Sequence, residues 1–207
     1  MVSKVEIPRK SIFRLSLYLR ALFKLRENSV ETVSSGALAK AAGVKPTQLR
    51  KDLAYFGQFG TRGLGYNVEG LASAINDVLG MNSLQPVVLV GVGNLGTALL
   101  RYRGFNKEGF EIKAAFDTDP HRERRLQPGI EVLANNELSD YIQKNDVKMA
   151  ILCVPVSEAQ SVANVLVAAG VQAILNFSAT VLDVPDDVVV NSVDLALELE
   201  NLSYFVR

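Results

Sequence analysis

A glycine-rich segment after a short apolar run constrains this chain more than any other feature. Residues 87–90 are Val-Val-Leu-Val, a run typical of a parallel strand covered on both faces. Gly91, Gly93 and Gly96 follow at Gly-x-Gly-x-x-Gly spacing, which permits a tight turn, a close approach of a pyrophosphate and close helix packing. We predict a dinucleotide-binding turn with phosphates on the amides that open the next helix. The predicted contacts are Gly91, Val92, Gly93, Asn94, Leu95 and Gly96.

An acidic residue ends the next strand-like run, 112–116, and strengthens this interpretation against an ordinary glycine turn. Asp117 lies about 20 positions beyond the glycines, where an acidic side chain binds the adenosine ribose and favours NAD(H) over NADP(H). The following arginines, Arg122, Arg124 and Arg125, would instead hold a 2′-phosphate or form a solvated basic loop. The sequence leaves that choice open.

Alternating strand and helix patterns in this half predict a doubly wound parallel sheet. Further strands are predicted at 148–154, 172–177 and 188–192, and a helix at 157–169. Ligands bind such sheets outside the carboxyl ends of the strands. Val154 and Pro155 end a strand there, and we expect them in the nucleotide crevice.

The composition argues against metal, disulfide and membrane functions. The single cysteine, Cys153, excludes an internal disulfide and a thiolate zinc cluster, and the single histidine, His121, argues against a His-rich metal site. No apolar run approaches the ~20 residues of a membrane span, and the first ten residues lack the apolar core of a signal peptide. A cytoplasmic location is expected.

The zero net charge hides two halves of opposite sign. Residues 1–80 contain 12 Lys and Arg against 6 Asp and Glu, a net charge of +6, and residues 81–207 contain 10 against 16, a net charge of −6. A basic N-terminal half indicates a polyanionic partner, whereas the acidic half does not. We therefore predict two domains, 1–80 and 81–207.

The basic half has the pattern of a helix-turn-helix. An amphipathic helix is predicted at 11–26, and two short helices at 36–42 and 45–55 flank a turn containing Gly43. The second short helix of such a motif enters the DNA major groove, although any basic amphipathic helix has a similar composition. Side chains expected to reach bases or phosphates are those of Thr47, Gln48, Arg50 and Lys51.

The segment 56–66 contains four glycines and three aromatic residues around one arginine, which predicts a β-hairpin. A hairpin after a helix-turn-helix is the wing of a winged-helix domain. Its tip would carry Thr61 and Arg62, and an arginine there suits a narrow minor groove. A further helix at 68–79 and a linker at 80–86 complete the domain.

The last predicted helix, 194–202, has Leu195, Leu199 and Leu202 on one face. Such a face must pack on something. The alternatives are the protein's own sheet and a partner subunit.

Two blocks together identify a family resemblance that covers essentially the whole chain. The segment Gln48–Tyr66, which contains Arg-Lys-Asp-Leu and Gly-Thr-Arg-Gly, and the segment Gly91–Ala98 closely resemble the bacterial redox-sensing Rex repressors. The resemblance implies a homodimer in which a winged helix is joined to a Rossmann domain and the C-terminal helix is exchanged between subunits. It implies binding to palindromic operators of respiratory and fermentative genes, release by NADH, and competition by NAD+ without release.

The resemblance also implies roles for single residues. Arg50 and Lys51 match the recognition helix, Arg62 matches the wing, and Tyr102 matches a tyrosine near the nicotinamide. Asp194 matches an aspartate that opens the C-terminal helix, and Arg20 an arginine that pairs with it between domains.

Two other functions fit parts of the sequence. An NAD-dependent dehydrogenase with a basic appendage would need a placed proton donor, and neither His121 nor the pair Tyr141 and Lys144 is well placed for that role. A repressor that senses CoA or another nucleotide would use the same glycine turn. We expect a regulator, not an enzyme.

Overall fold

The computed structural model describes residues 7–61, 63–119 and 130–206. The chain forms two compact units, Met1–Ser83 and Leu84–Arg207, whereas the sequence predicts the boundary after residue 80. Gln85 and Pro86, predicted as linker, instead begin a strand: the Gln85 amide donates to the Gly109 carbonyl at 2.8 Å. The linker prediction was wrong there because the pairing partner is distant in sequence.

Helices build most of the first unit. They are α1 (Arg9–Glu27), α2 (Ser35–Ala41), α3 (Pro46–Ala54) and α4 (Val68–Leu79). The Ser34 hydroxyl caps α2 by accepting the Ala37 amide at 3.1 Å, and the Asn67 side chain caps α4 by accepting the Gly70 amide at 2.7 Å. Pro46 opens α3 at its first turn, where its missing amide costs nothing.

A small antiparallel sheet completes this unit. Its strands are β1 (Thr32–Val33), β2 (Gly60–Thr61) and β3 (Gly65–Asn67), in the order β1-β3-β2. The predicted hairpin is present as β2 and β3, in the register Thr61 opposite Gly65, and is shorter than the segment 56–66. β1 has only two residues, too few for a periodic signal, and was not predicted.

One apolar cluster holds the helices of the first unit together. It includes fully buried Leu15 and Leu22 of α1, Leu49 of α3 and Ile75 of α4. Their spacing along each helix gives one apolar face per helix. The predicted winged-helix domain is confirmed.

The second unit contains a six-stranded parallel sheet. Its strands are β4 (Gln85–Val90), β5 (Phe110–Asp117), β6 (Val132–Ala134), β7 (Met149–Leu152), β8 (Ala173–Asn176) and β9 (Val189–Ser192). The order β6-β5-β4-β7-β8-β9 reverses direction between β4 and β7, which confirms the predicted doubly wound sheet. The three residues of β6 carry no pattern that would have predicted them.

Helices cover both faces of this sheet. They are α5 (Asn94–Leu100), α6 (Gly104–Lys107), α7 (Leu138–Lys144) and α8 (Val156–Ala168). Val88 and Val90 pack with α7 and α8 on one face, while Val87 and Leu89 pack with Leu100 of α5 on the other. Alternate residues of β4 therefore serve two cores, which explains its continuous apolar run.

The last helix, α9 (Leu195–Ser203), has no buried residue in the single chain. Asp194 caps it: its Oδ1 accepts the amides of Ala196 at 2.9 Å and Leu197 at 3.2 Å. Its leucines are more than half exposed, as are the aromatic residues that follow it. The helix thus does not bury its apolar face on the protein's own sheet.

Candidate functional site

The glycine turn lies at the point where the strand order of the sheet reverses. Gly91 follows β4 with a φ of +98°, and a Cβ there would lie 2.5 Å from the Cys153 carbonyl oxygen. The Gly91 amide donates to the Phe116 carbonyl at 2.8 Å. Only glycine permits this conformation so close to the end of β7.

The other two glycines have different surroundings. A Cβ on Gly96 would overlap the Gly91 carbonyl oxygen, so α5 packs directly against the turn. A Cβ on Gly93 would meet nothing within 4 Å. The space next to Gly93 can therefore receive a ligand group, as a pyrophosphate-binding turn requires.

Asp117, the last residue of β5, is only 6% exposed and braces the turn. Its Oδ2 accepts the Val92 amide at 2.7 Å, and its Oδ1 accepts the Asp119 amide at 3.0 Å. The carboxylate thus holds the turn in place. A contact with a ribose stays a prediction.

The crevice beside the turn is bordered by the end of β7. The Cys153 amide donates to the Val90 carbonyl at 2.8 Å, and Val154 and Pro155 follow before α8 begins. Burial raises the pKa of the Cys153 thiol to about 12. The thiol is therefore protonated at neutral pH and a poor nucleophile.

Tyr102 lies just beyond α5 and is 60% exposed. Its ring meets Phe105 edge-on, with centroids 5.2 Å apart, and lies over the α-carbon of Gly104, where a Cβ would overlap the ring. The lack of a side chain at Gly104 therefore leaves room for the Tyr102 ring. The sequence alone does not indicate this contact, because one glycine between two aromatic residues carries no specific signal.

The predicted helix-turn-helix is formed by α2 and α3. Gly43, with a φ of +69°, lies in the connection between them. Thr47, Arg50 and Lys51 are exposed on α3, and the Arg50 guanidinium donates to the Ser35 hydroxyl of α2 at 3.0 Å. These three side chains are therefore available to a partner.

Gln48 has a different setting from the other predicted DNA contacts. It is half-buried, and its amide nitrogen donates to Asp52 Oδ1 at 2.9 Å. This contact is with the protein's own interior. A DNA contact by Gln48 stays a prediction.

A cleft of about 540 Å³ separates α3 from the hairpin β2–β3. Arg50, Ser35, Thr61 and Tyr66 line it, together with several glycines of the hairpin. Thr61 is exposed, and Arg62 lies outside the described residues. So do His121 and the arginines at 122, 124 and 125.

A buried carboxylate connects α3 to α1. Asp52 is 0% exposed. Its Oδ2 accepts hydrogen bonds from Arg14 Nε at 2.5 Å and from the Tyr18 hydroxyl at 2.7 Å. Its Oδ1 accepts one from an Arg14 terminal nitrogen at 2.7 Å. Burial alone raises the pKa of Asp52, but hydrogen bonds from Arg14, Tyr18 and Gln48 outweigh it and lower the pKa to about 2. Burial raises the pKa of Tyr18, and the hydrogen bond to Asp52 raises it further.

No feature of the sequence alone indicated this network. Arg14 lies in the predicted helix 11–26 and Asp52 in the predicted helix 45–55, and neither was assigned a role from the sequence. A buried ion pair between residues 38 positions apart leaves no local pattern.

Arg20 and Asp194 belong to different compact units. Arg20 is exposed on α1, and Asp194 caps α9. Their predicted pairing stays a prediction.

The described residues contain neither a candidate metal cluster nor a candidate membrane-spanning helix. No group of three or more His, Cys, Asp or Glu side chains is placed to hold a metal ion in 7–61, 63–119 and 130–206. Over the same ranges, no helix has the length and apolar character to cross a membrane.

Comparison with protein families gives two matches, one in each unit. Residues 6–54 match a family described as "Putative DNA-binding protein N-terminus", and residues 82–180 match one described as "CoA binding domain".

Comparison with curated proteins gives relatives over nearly the whole chain. The "Redox-sensing transcriptional repressor Rex" of Carboxydothermus hydrogenoformans is 48% identical over 98% of this chain and 97% of its own. Those of Streptomyces avermitilis and Syntrophobacter fumaroxidans are 50% and 46% identical over 96% of this chain, and over 79% and 95% of their own. The chain belongs to the Rex family. Because these Rex relatives are named as transcriptional repressors, the predicted regulator is confirmed over a dehydrogenase.

Solved structures of the Rex family share the fold. RSP in complex with beta-NAD+ and operator DNA is 38% identical, with a TM-score of 0.88 over 98% of this chain and 93% of RSP. RSP in complex with beta-NADH is 37% identical, with a TM-score of 0.84 over 97% of this chain and 94% of RSP.

The low pKa of Asp52 predicts a pH-dependent contribution to stability. The pKa is lowered in the folded state, so the stabilisation is complete above the unfolded value of about 4 and is lost as pH falls through about 2. We expect the difference in local unfolding free energy between the natural chain and Asp52→Asn to shrink by about 2 kcal/mol from pH 5 to pH 2. Amide hydrogen exchange in α1 and α3 measures it; a difference that is constant with pH would contradict the ion-pair origin.

The geometry of the glycine turn predicts that two alanine variants differ in their free energy of unfolding. Gly96→Ala forces a methyl group onto the Gly91 carbonyl and should lower the free energy of unfolding by about 2 kcal/mol or more. Gly93→Ala adds a methyl group in open space and should change it by less than about 0.5 kcal/mol. Thermal unfolding compares them, and equal losses would rule out the packing assigned to Gly96.

Proposed function

We propose that this chain is a redox-sensing transcriptional repressor that binds palindromic operator DNA and is released by NADH. The similarity to RSP is the main support for this proposal, because RSP was solved with operator DNA and with both nicotinamide dinucleotides. The chain has the two sites that such a repressor needs: a glycine turn at the switch point of a parallel sheet and a helix-turn-helix with a hairpin. A repressor of chromosomal genes in bacteria acts in the cytoplasm.

The glycine turn fits NADH and NAD+ on its own geometry. The open α-carbon of Gly93 leaves room for a pyrophosphate, and the amides of Asn94 and Leu95 begin α5 beside it. Asp117, already against the turn, would accept a ribose hydroxyl, and Val154 and Pro155 would border the crevice. NADH differs from NAD+ in having a neutral nicotinamide, and we assign the contact with that ring to Tyr102.

For the DNA site, we propose that α3 enters the major groove and that the hairpin contacts the minor groove. Thr47, Arg50 and Lys51 are exposed on α3, where they would reach base edges and phosphates. Thr61 and Arg62 of the hairpin would contact the adjacent minor groove. The net charge of +6 over residues 1–80 favours this assignment.

A homodimer follows from the exposed helix and from the symmetry of the DNA. α9 carries Leu195, Leu199 and Leu202 more than half exposed, and a second copy of the chain would bury them. A two-fold dimer presents two copies of α3 to the two halves of a palindrome. We propose that α9 is exchanged between the subunits.

Release then requires two states of the dimer. The two α3 helices must lie about one DNA turn apart, so a modest rotation of the subunits disrupts both contacts. We propose that Arg20 and the partner's Asp194 pair in only one state and so help to separate the two in free energy. Changing a 1:99 population to 99:1 requires about 5.5 kcal/mol of difference in ligand affinity between the states.

CoA is a second candidate for the effector. The match of residues 82–180 to a CoA binding domain favours it, and the same turn would hold its phosphates. Asp117 favours a dinucleotide, because its carboxylate suits a free ribose hydroxyl rather than a phosphorylated ribose. CoA is therefore tested beside the nicotinamides.

The first prediction of this proposal concerns release from DNA. A palindromic DNA is selected from a random pool with the purified chain and labelled for fluorescence anisotropy at fixed salt. Micromolar NADH should release it, whereas NAD+, NADPH and CoA should not. Release by CoA alone would establish the second candidate, and DNA binding without any response would refute redox sensing.

Gly93→Ala serves as the matched variant in this assay. It should still bind the operator with unchanged affinity but require at least about ten times more NADH for release, because its methyl group occupies the phosphate space. An unchanged NADH response would place the ligand elsewhere.

The second prediction concerns assembly through α9. Leu199→Glu should reduce the mass in solution from twice 22.5 kDa to 22.5 kDa and weaken operator binding at least about 100-fold, because each monomer holds only one half-site. Glu200→Gln, on the same helix, is the control and should remain dimeric. Light scattering and anisotropy measure both; a dimeric Leu199→Glu variant would exclude α9 as the interface.

A further inference from the structure

The recognition helix α3 has few apolar contacts to fix its rotation. Of its residues, Leu49, Asp52 and Leu53 are buried, and only the two leucines are apolar. Leu49 and Leu53 lie one turn apart and form a single ridge. Non-directional contacts along one ridge hold a helix against the core but leave its rotation about its own axis weakly determined.

Directional bonds converge at the same face of α3. Asp52 accepts two bonds from the Arg14 guanidinium, at 2.5 and 2.7 Å, and one from the Tyr18 hydroxyl at 2.7 Å. Arg14 and Tyr18 lie one turn apart on α1, so the carboxylate is held from two points of that helix. Because hydrogen bonds weaken steeply with angle and distance, they permit only one rotation of α3 relative to α1.

Compared with apolar side chains of similar shape at the same positions, such a network contributes little net stability. The cost of removing a carboxylate and a guanidinium from water offsets most of their attraction, and apolar replacements of buried ion pairs are often as stable. Apolar side chains in place of Arg14, Tyr18 and Asp52 would therefore maintain the fold. They would lack the directional hydrogen bonds that fix the rotation of α3.

The rotation of α3 matters because Arg50 and Lys51 extend from its exposed side. A side chain reaches at least about 6 Å from the helix axis, so a rotation of about 20° moves its end by about 2 Å. A bidentate contact with a base edge is lost at that displacement. Attraction to phosphates is long-range and persists.

We propose that Asp52, held by Arg14 and Tyr18, is a positioning residue that sets the rotation of α3 and thereby the sequence specificity of DNA binding. This inference rests on the proposed DNA-binding function. It assigns base discrimination to residues that do not themselves contact DNA, while the exposed side chains of α3 make the contacts.

The test replaces the network with apolar residues of similar shape in the full chain: Arg14→Met, Tyr18→Phe and Asp52→Leu together. Affinity is measured by anisotropy for the selected palindromic DNA and for a scrambled DNA of equal length, well below the thermal midpoint. We expect a folded protein whose operator affinity falls at least 10-fold while its affinity for scrambled DNA changes less than 2-fold. A purely structural role would alter the thermal midpoint but not this ratio.

The control is another contact of α1 within the same unit. Arg26 of α1 faces Glu69 of α4 at 3.4 Å, and both side chains are at least half exposed. Glu69→Gln removes this ion pair and should leave the ratio of operator to scrambled affinity unchanged.

A folded triple variant with the natural ratio would overturn the inference. If the triple variant does not fold, Tyr18→Phe decides, because it removes one hydrogen bond and keeps the Arg14 pair. A ratio at least 3-fold lower supports the positioning role, and an unchanged ratio overturns it. If the natural chain itself selects no palindromic DNA, the proposed function fails instead, whatever the variants do.

Discussion

The close approach of three backbone segments at the switch point of the sheet determines how the second unit is built. Gly91 turns against the Cys153 carbonyl at the end of β7, and α5 then starts with Gly96 against the Gly91 carbonyl. Neither position has room for a side chain. Because β4 is the strand from which the sheet is wound in both directions, this contact also places the crevice where a dinucleotide would bind.

Each unit uses a buried carboxylate to hold one element of its candidate site. Asp117 accepts the Val92 amide and braces the glycine turn, while Asp52 accepts bonds from Arg14 and Tyr18 and braces α3. A carboxylate suits this task because it accepts several directional bonds at once. Positioning at both sites therefore depends on groups that the surface of the molecule does not reveal.

The exposed leucines of α9 connect the architecture to regulation. A single chain leaves the apolar face of this helix exposed, and the proposed second copy of the chain would bury it. In a dimer built on such helices, the spacing of the two α3 helices becomes a property of the subunit arrangement. Ligand binding that changes the arrangement can then change DNA affinity without touching α3 itself.

Local patterns in the sequence were sufficient for most of the longer helices and strands and for the order of the domains. α4 begins and ends at the predicted residues because Asn67 caps its start and Gly80 its end. The glycine spacing predicted the turn, and the glycines between aromatic residues predicted the hairpin, since both depend on backbone conformations that few other residues adopt. Recognition of the family depended on these same local blocks.

Long-range contacts decided the rest. No pattern indicated that Gln85 and Pro86 join a strand, that Gly104 receives the Tyr102 ring, or that Asp52 is buried against Arg14. Each depends on partners brought together by packing, and packing energy is not encoded at any single position. The sequence by itself determined the two domains and their ligand-binding motifs, because these follow from backbone conformation and local periodicity. Only the tertiary structure decided which polar side chains are exposed and which hold the protein's own elements in place, because that depends on burial.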